Sequence, residues 1–355
     1  MIISRTPYRL SFFGGGTDYP AWSRRYGGAV LATTIDKYCY LTCRYLPPFF
    51  EHRTRVVYSR IETVQKTAEI AHPAVREILE FLKIKRGVEI HHDGDLPARS
   101  GMGTSSSFTV GLLHALHALC GRMPGKQQLA QESIVIEQER LKEPVGSQDQ
   151  VLAAYGGFNH VIFHPGGGIA VRPVTLARKR MAELNDHLML FYTGIRRTSS
   201  AISSGYANDV GPRKSQLELM KELVDEAIAV LASGQNIARF GELLGRAWKA
   251  KRSLSDAVSN PHVDEIYRQA LSAGALGGKL TGAGGGGFML LFVPPGEQKK
   301  VRQRLTQLLH LPFSLEFSGS QIIFFDPESD YSAAEKVRAK QRLSPFREWD
   351  SLAPR

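Results

Sequence analysis

Residues 95–113, DLPARSGMGTSSSFTVGLL, hold the densest collection of groups able to do chemistry in this chain. A turn at Asp95 and Pro97 runs into Gly101, Gly103, Thr104, Ser105, Ser106 and Ser107. An apolar run at helical spacing follows, with Phe108, Val110, Leu112, Leu113, Leu116 and Leu119. A loop without bulky side chains exposes its backbone N–H groups, and the first turn of a helix leaves several of them unpaired. Together with the positive end of the helix dipole they suit an oxyanion such as phosphate. The hydroxyls of residues 104–107 can cap the helix, bind phosphate oxygens or ligate a hard cation such as magnesium. A loop that merely caps a helix has the same letters, so this stretch alone leaves both readings open.

Three further clusters carry reactive side chains. Residues 5–19, RTPYRLSFFGGGTDY, contain Arg9, Gly15, Gly16, Thr17 and Asp18; residues 137–150 contain Glu137, Glu139 and Asp149; residues 279–287 read KLTGAGGGG. Known phosphate motifs do not account for them. A Walker-type loop fails around Gly278 and Lys279. Residues 282–287 match GxGxxG, but a strand pattern follows where the dinucleotide fold requires a helix. A protein-kinase loop of His-Arg-Asp type is missing. Taken singly, Glu137 and Glu139 read as helix-surface charges, Asp149 as a turn residue and Arg9 as a strand arginine in a surface ion pair. His91, His92, Asp93 and Asp95 fit a strand running into a turn better than a metal site.

The elements that must position these groups can be read from periodicity. Strands are expected over 2–6, 29–46, 55–64 and 87–92, a short helix over 73–82, and a helix from Phe108 onward. Residues 126–143 read as helical up to Pro144, and 156–164 with 169–176 as a hairpin. After a change of texture near 179–185 come a buried strand at 187–193 and an amphipathic helix at 214–231, with Leu217, Met220, Leu223, Val224, Ile228 and Leu231 on one face. Helices follow over 237–254, 263–272 and 297–309, and strands over 288–294 and 322–325. The expected partition is an N-terminal unit over 1–182 and a C-terminal unit over 183–355.

Composition narrows the class. With 355 residues, 43% of them hydrophobic, the chain can build two ordinary domains. No run of about 18 apolar residues suggests a membrane span, and the N-terminus is too short and polar for a secretory signal. Three cysteines form no disulfide framework, so a cytoplasmic protein is expected. The formal charge of +11 is scattered rather than clustered, with no RNA-binding aromatic motif or zinc-finger pattern beside it. It suits anionic small substrates better than nucleic acid or a membrane surface.

The order of the three glycine-bearing clusters, RTPYRLSFFGGGTDY, then SGMGTSSS, then KLTGAGGGG, resembles the GHMP small-molecule kinases across nearly the whole chain. Closer in, GGGTD, SSSFTVGLL, QDQ and YTGI are similar to the sugar-1-kinase branch acting on D-glycero-D-manno-heptose 7-phosphate. The resemblance implies an α+β, two-domain fold, with a ribosomal-protein-S5-domain-2-like nucleotide-binding domain followed by a ferredoxin-like domain. It implies ATP and Mg2+ as cofactors and transfer of the γ-phosphoryl to the anomeric hydroxyl. The product it implies is the 1,7-bisphosphate, on the route to nucleotide-activated heptose for surface glycans.

By the same resemblance Pro97, Ser100, Gly101, Gly103, Thr104, Ser105, Ser106 and Ser107 wrap the nucleotide phosphates. Ser105 and Glu139 hold the metal, with Glu137 as the fallback one register away. Asp149 and Arg9 are catalytic. Gly15, Gly16, Thr17, Asp18, Arg196, Arg197, Lys279 and Gly284 face the substrate, with the two arginines, Thr198 and Ser199 suited to a distal phosphate. Galactokinases carry Glu-His where this chain has Gly15-Gly16, which argues against galactose. Arg99 departs from the glycine-rich pattern, as a phosphate contact or a solvated side chain. Another acceptor (of fucose or galactose type, or a non-sugar alcohol) and a catalytically silent nucleic-acid-binding or sensory protein remain as alternatives. The expected partners are a phosphorylated sugar and ATP, without nucleic acid or membrane; monomer and homodimer both stay open.

Overall fold

The computed structural model describes residues 1–50, 52–98, 100–195, 211–327 and 331–340. Its first strand, β1 (Ile2–Phe13), is twelve residues long and buried from Arg9 to its end, well past the expected 2–6. It pairs antiparallel along β2 (Gly28–Tyr45), with a register shift between Pro7 and Tyr8. Proline has no N–H to give a ladder, so a bulge there is expected. Beyond the bulge the Arg9 N–H donates to Met102 O at 3.1 Å, which ties the strand to the Gly/Ser loop.

The region expected as one strand over 55–64 is two, β3 (Thr54–Val57) and β4 (Ile61–Val64), joined by a tight turn. With β5 (Val88–Gly94), β6 (Asn159–Phe163) and β7 (Ile169–Pro173) they extend the first sheet. A second, antiparallel sheet contains β8 (Leu188–Tyr192), β9 (Gly277–Leu280), β10 (Phe288–Phe292) and β11 (Leu309–His310), in the order β11-β8-β10-β9. The late strands β12 (Leu315–Glu316) and β13 (Gln321–Phe325) return to the first sheet, against β2 and β1. Among the described residues the first sheet has nine strands, six along the path β13-β1-β2-β5-β3-β4 with β12 and β6 branching from β2 and β7 beside β6, all antiparallel except β3 with β5. The result is the expected α+β architecture, built on two sheets.

Five helices belong to the first part of the chain. They are α1 (Pro20–Tyr26), α2 (Pro73–Phe81), α3 (Thr104–Leu119), α4 (Lys126–Ile134) and α5 (Gln148–Tyr155). α3 lies on β1 and β2, with Leu112, Leu113 and Leu116 wholly buried, and two hydroxyls pin it: Ser4 Oγ donates to Gly111 O and Ser107 Oγ to Pro7 O, both at 2.9 Å. Next in order come α6 (Arg178–Asp186), α7 (Lys214–Ala232) and α8 (Ala238–Arg252), the last of these on the second sheet. Phe240 of α8 joins the two halves, edge-on to Phe12 at 5.5 Å and Phe13 at 5.1 Å and tilted on Phe292 at 5.8 Å. Burying such a ring stabilises by roughly 1.5–3 kcal/mol, and here the ring also fixes the end of β1 relative to α8. Among the described residues no helix is long and apolar enough to cross a membrane.

Candidate active site

A cavity of about 310 Å³ opens where the loop before α3, the turn after β1, the N-terminus of α5, the C-terminus of α8 and the turn between β9 and β10 meet. Its loop wall is backbone. Gly103 caps α3 at φ +70°, and a Cβ there would stand 3.1 Å from Arg9 Cγ and 3.4 Å from Asp149 Oδ2. Only glycine keeps that N-terminus open and the left-handed turn unstrained. Gly101, at φ +78°, packs on Gly282 so closely that a Cβ on Gly282 would lie 2.6 Å from Gly101 Cα. The expected nucleotide loop and the KLTGAGGGG segment are therefore one packed unit.

The facing wall is made of side chains. Arg9 grips Asp149 with two donors, Nε to Oδ1 at 2.7 Å and Nη2 to Oδ2 at 2.8 Å, and its Nη1 donates to Gly101 O at 2.6 Å. A bidentate fork of this kind fixes both planes and is among the stronger hydrogen-bonded pairs. Asp149 stands in the first turn of α5 rather than in a turn, where the helix dipole favours a carboxylate. Asp18 is buried, accepting from the N–H groups of Gly16 at 2.9 Å and Gln148 at 3.2 Å. Burial pushes its carboxyl up, and the Asp149 charge adds to this.

Glu139 does not face the cavity: it is exposed, whereas Glu137 is 1% exposed and lines it. The cause is local. Helix α4 passes into a π turn over Val135–Arg140, and the wider turn slips the side-chain register. Glu137 Oε2 accepts from Ser106 Oγ at 2.9 Å and Gln150 Nε2 at 2.5 Å, while its Oε1 has no hydrogen-bond partner. Burial raises its pKa to about 7.

Of the other expected residues, Gly15, Gly16, Thr104, Ser105, Ser106 and Lys279 line the cavity with those already named. Thr17 instead bridges Gly14 O and Ala29 O from within the core. Ser107 is spent on Pro7 O, and Pro97 and Ser100 are not in the cavity lining. Gly284 sits outside the lining and packs on Val258. Arg99, Arg196, Arg197, Thr198 and Ser199 lie outside the described residues. The histidine-aspartate run is the end of β5, with Asp95 Oδ2 accepting from Tyr38 N–H at 2.8 Å.

Ser11, Tyr19, Glu143, Gln148 and Lys251 are among the lining residues that escape the sequence reading, and Lys251 is the one cation of these five. Lys251, 5% exposed, reaches the cavity from the last turn of α8 and donates to Gly282 O. Lys279 Nζ donates to Phe12 O at 2.9 Å. A signal for Lys251 does exist, since it falls on the apolar stripe of Phe240, Leu244, Ala247 and Trp248.

A GHMP kinase N-terminal domain model matches residues 63–157 and a GHMP kinase C-terminal model matches residues 219–311. The chain is 30% identical over 305 residues to a D-glycero-alpha-D-manno-heptose 7-phosphate kinase of Campylobacter jejuni, covering 83% of this chain and 90% of the relative. A solved putative sugar kinase from Campylobacter jejuni is 27% identical with a TM-score of 0.70, over 91% of this chain and 98% of the other. A heptose 1-phosphate kinase from Bacteroides thetaiotaomicron shares the fold, with a TM-score of 0.75 at 23% identity, over 92% and 100% of the two chains.

Proposed function

The chain belongs to the GHMP kinase family, and we propose that it transfers the γ-phosphoryl group of ATP to the anomeric hydroxyl of D-glycero-D-manno-heptose 7-phosphate. The observation that carries this reading is the Arg9–Asp149 fork facing the open N-terminus of α3 across one cavity. The loop and α3 supply N–H groups and a dipole for the triphosphate. Asp149 takes the proton of the anomeric hydroxyl as that oxygen bonds to the γ-phosphorus and the bond to ADP breaks. Arg9 holds Asp149 in place and adds positive charge where the phosphoryl passes. Asp18, kept rigid by two backbone N–H groups, orients the sugar hydroxyls. The heptose assignment rests on the Campylobacter jejuni relative, and the reaction belongs in the cytoplasm, where ATP is.

The donor set suits Mg2+: Glu137 Oε1 is buried without a partner, the Ser106 hydroxyl stands on the same carboxylate, and Ser105 offers a further hard oxygen in the same cavity. Mg2+ commonly takes one or two protein oxygens and keeps water and phosphate for the rest. When bound it would neutralise charge on the β- and γ-phosphates. Glu137 rather than Glu139 is the residue that would hold it.

The test is ATP-dependent ADP release with Mg2+ across sugars with and without a terminal phosphate. Turnover with heptose 7-phosphate alone is expected. Turnover with fucose or another neutral sugar would keep the kinase and sink the acceptor. No turnover, with salt-sensitive binding to DNA or RNA, would favour the non-catalytic alternative.

A further inference from the structure

We propose that Lys251 is a further catalytic residue, its ammonium binding oxygens of the phosphoryl group in transfer. This rests on the kinase reading above. Lys249 and Arg252 on the same helical turn are exposed, while Lys251 is 5% exposed and lines the cavity. A buried ammonium is costly unless something in its site repays the lost water. Among the described residues Lys251 has no ion-pair partner, and Gly282 O accepts one of its N–H groups.

Arg9 spends three of its five N–H donors, Nε and Nη2 on Asp149 and Nη1 on Gly101 O, and Lys279 donates away from the cavity centre to Phe12 O of β1. Lys251, with one N–H on Gly282 O, keeps two for an incoming anion. Its position is also fitting, because Gly282 packs on Gly101, whose carbonyl holds Arg9. The ammonium is therefore anchored on the turn that packs against the phosphate loop, in the same cavity as the Arg9–Asp149 fork.

The charged groups around it are Arg9 from β1, Asp18 from the turn after β1, Asp149 from α5 and Lys279 from β9. Burial and then Arg9 lower the Lys251 pKa to about 7, against the upward pull of Asp18 and Asp149. Lys279 is driven well below its ordinary value by burial and by Lys251, which suits a neutral buttress on Phe12 O. An arriving phosphate adds the countercharge that favours the Lys251 ammonium.

The test uses the full chain with Lys251→Met and Lys251→Arg, both checked by thermal unfolding. Calorimetric binding of a non-hydrolysable ATP analogue and of ADP, each with Mg2+, needs no acceptor and so survives a wrong acceptor assignment. In Lys251→Met the preference for triphosphate over diphosphate should fall on the order of tenfold, with ADP affinity little changed. With a working acceptor its kcat should drop by roughly 10²–10³-fold at near-constant acceptor KM, and Lys251→Arg should recover part of the loss.

If Lys251→Met does not fold, the pH profile of Lys251→Arg decides. Wild-type turnover falls on the alkaline side as the ammonium loses its proton, and the arginine variant must carry that limb to higher pH. The proposal is overturned by an unchanged triphosphate preference and kcat in Lys251→Met, or by superimposable profiles of wild type and Lys251→Arg. A loss confined to KM for phosphorylated acceptors would also overturn it and make Lys251 an acceptor-phosphate ligand. A wild type that binds neither nucleotide would sink the kinase reading itself.

Discussion

The two walls of the cavity, the loop before α3 and the facing side chains, differ in what presents the charge. On the first, backbone N–H groups of residues 101–106 do so, and their direction is set by the loop and by α3. On the second, Arg9, Asp18, Asp149 and Lys251 arrive from four places in the chain, each buried or half-buried and each held by named partners. A backbone-built wall tolerates side-chain change but not a lost glycine. A side-chain-built wall is sensitive to every truncation, because each loss strands a charge away from water.

Arg9→Met should have the largest effect among variants that contrast the walls. It removes both bonds to Asp149, and kcat should fall by about 10³-fold, while nucleotide binding changes only a few-fold. Arg9→Lys should recover little, because an ammonium cannot reproduce the fork. Steady-state kinetics beside calorimetry separate the two effects.

Glu137→Gln should cost roughly 10²-fold in kcat and raise the Mg2+ needed for half-maximal rate. The pH dependence has a definite sign. The Glu137 pKa is raised from 4.5 to about 7, so folding binds a proton in that window, and the metal-free protein loses stability as pH rises through it. A bound cation compensates the carboxylate. The Tm increment that Mg2+ gives the nucleotide-bound protein should therefore grow from pH 6 to pH 8, and Glu137→Gln should flatten it.

Gly101→Ala attacks the other wall, where the φ is +78° and a Cβ would lie 2.8 Å from Thr281 O. A loss of about 1–3 kcal/mol in stability is expected, with nucleotide affinity suffering before acceptor KM. Glu139→Gln, at an exposed position, should leave stability within about 0.5 kcal/mol and turnover unchanged. A fall in kcat there with Glu137→Gln intact would reverse the assignment.

The two walls also differed in legibility. The loop at 101–107 was readable because its glycines, hydroxyls and apolar helix are contiguous, and α3 begins at Thr104 within it. Arg9 and Asp149, 140 residues apart, were brought together only by the resemblance, since no local pattern records a long-range ion pair. That Glu137 rather than Glu139 lines the cavity is not legible in the sequence, because a π turn carries no periodic signature. Lys251 was hidden among Lys249 and Arg252, which read as a solvated basic turn unless each residue is placed on the apolar stripe of α8. Helix α5 was missed because eight residues give too few apolar repeats, and β9, GGKL, has too little side chain to read as a strand.

The central claim, that nucleotide binding and phosphoryl transfer reside on opposite walls, is tested most directly by Asp149→Ala, assayed for both ATP-analogue binding and turnover. The account predicts binding within a few-fold of wild type and a kcat at least ~10³-fold lower. Turnover that survives the substitution would contradict it.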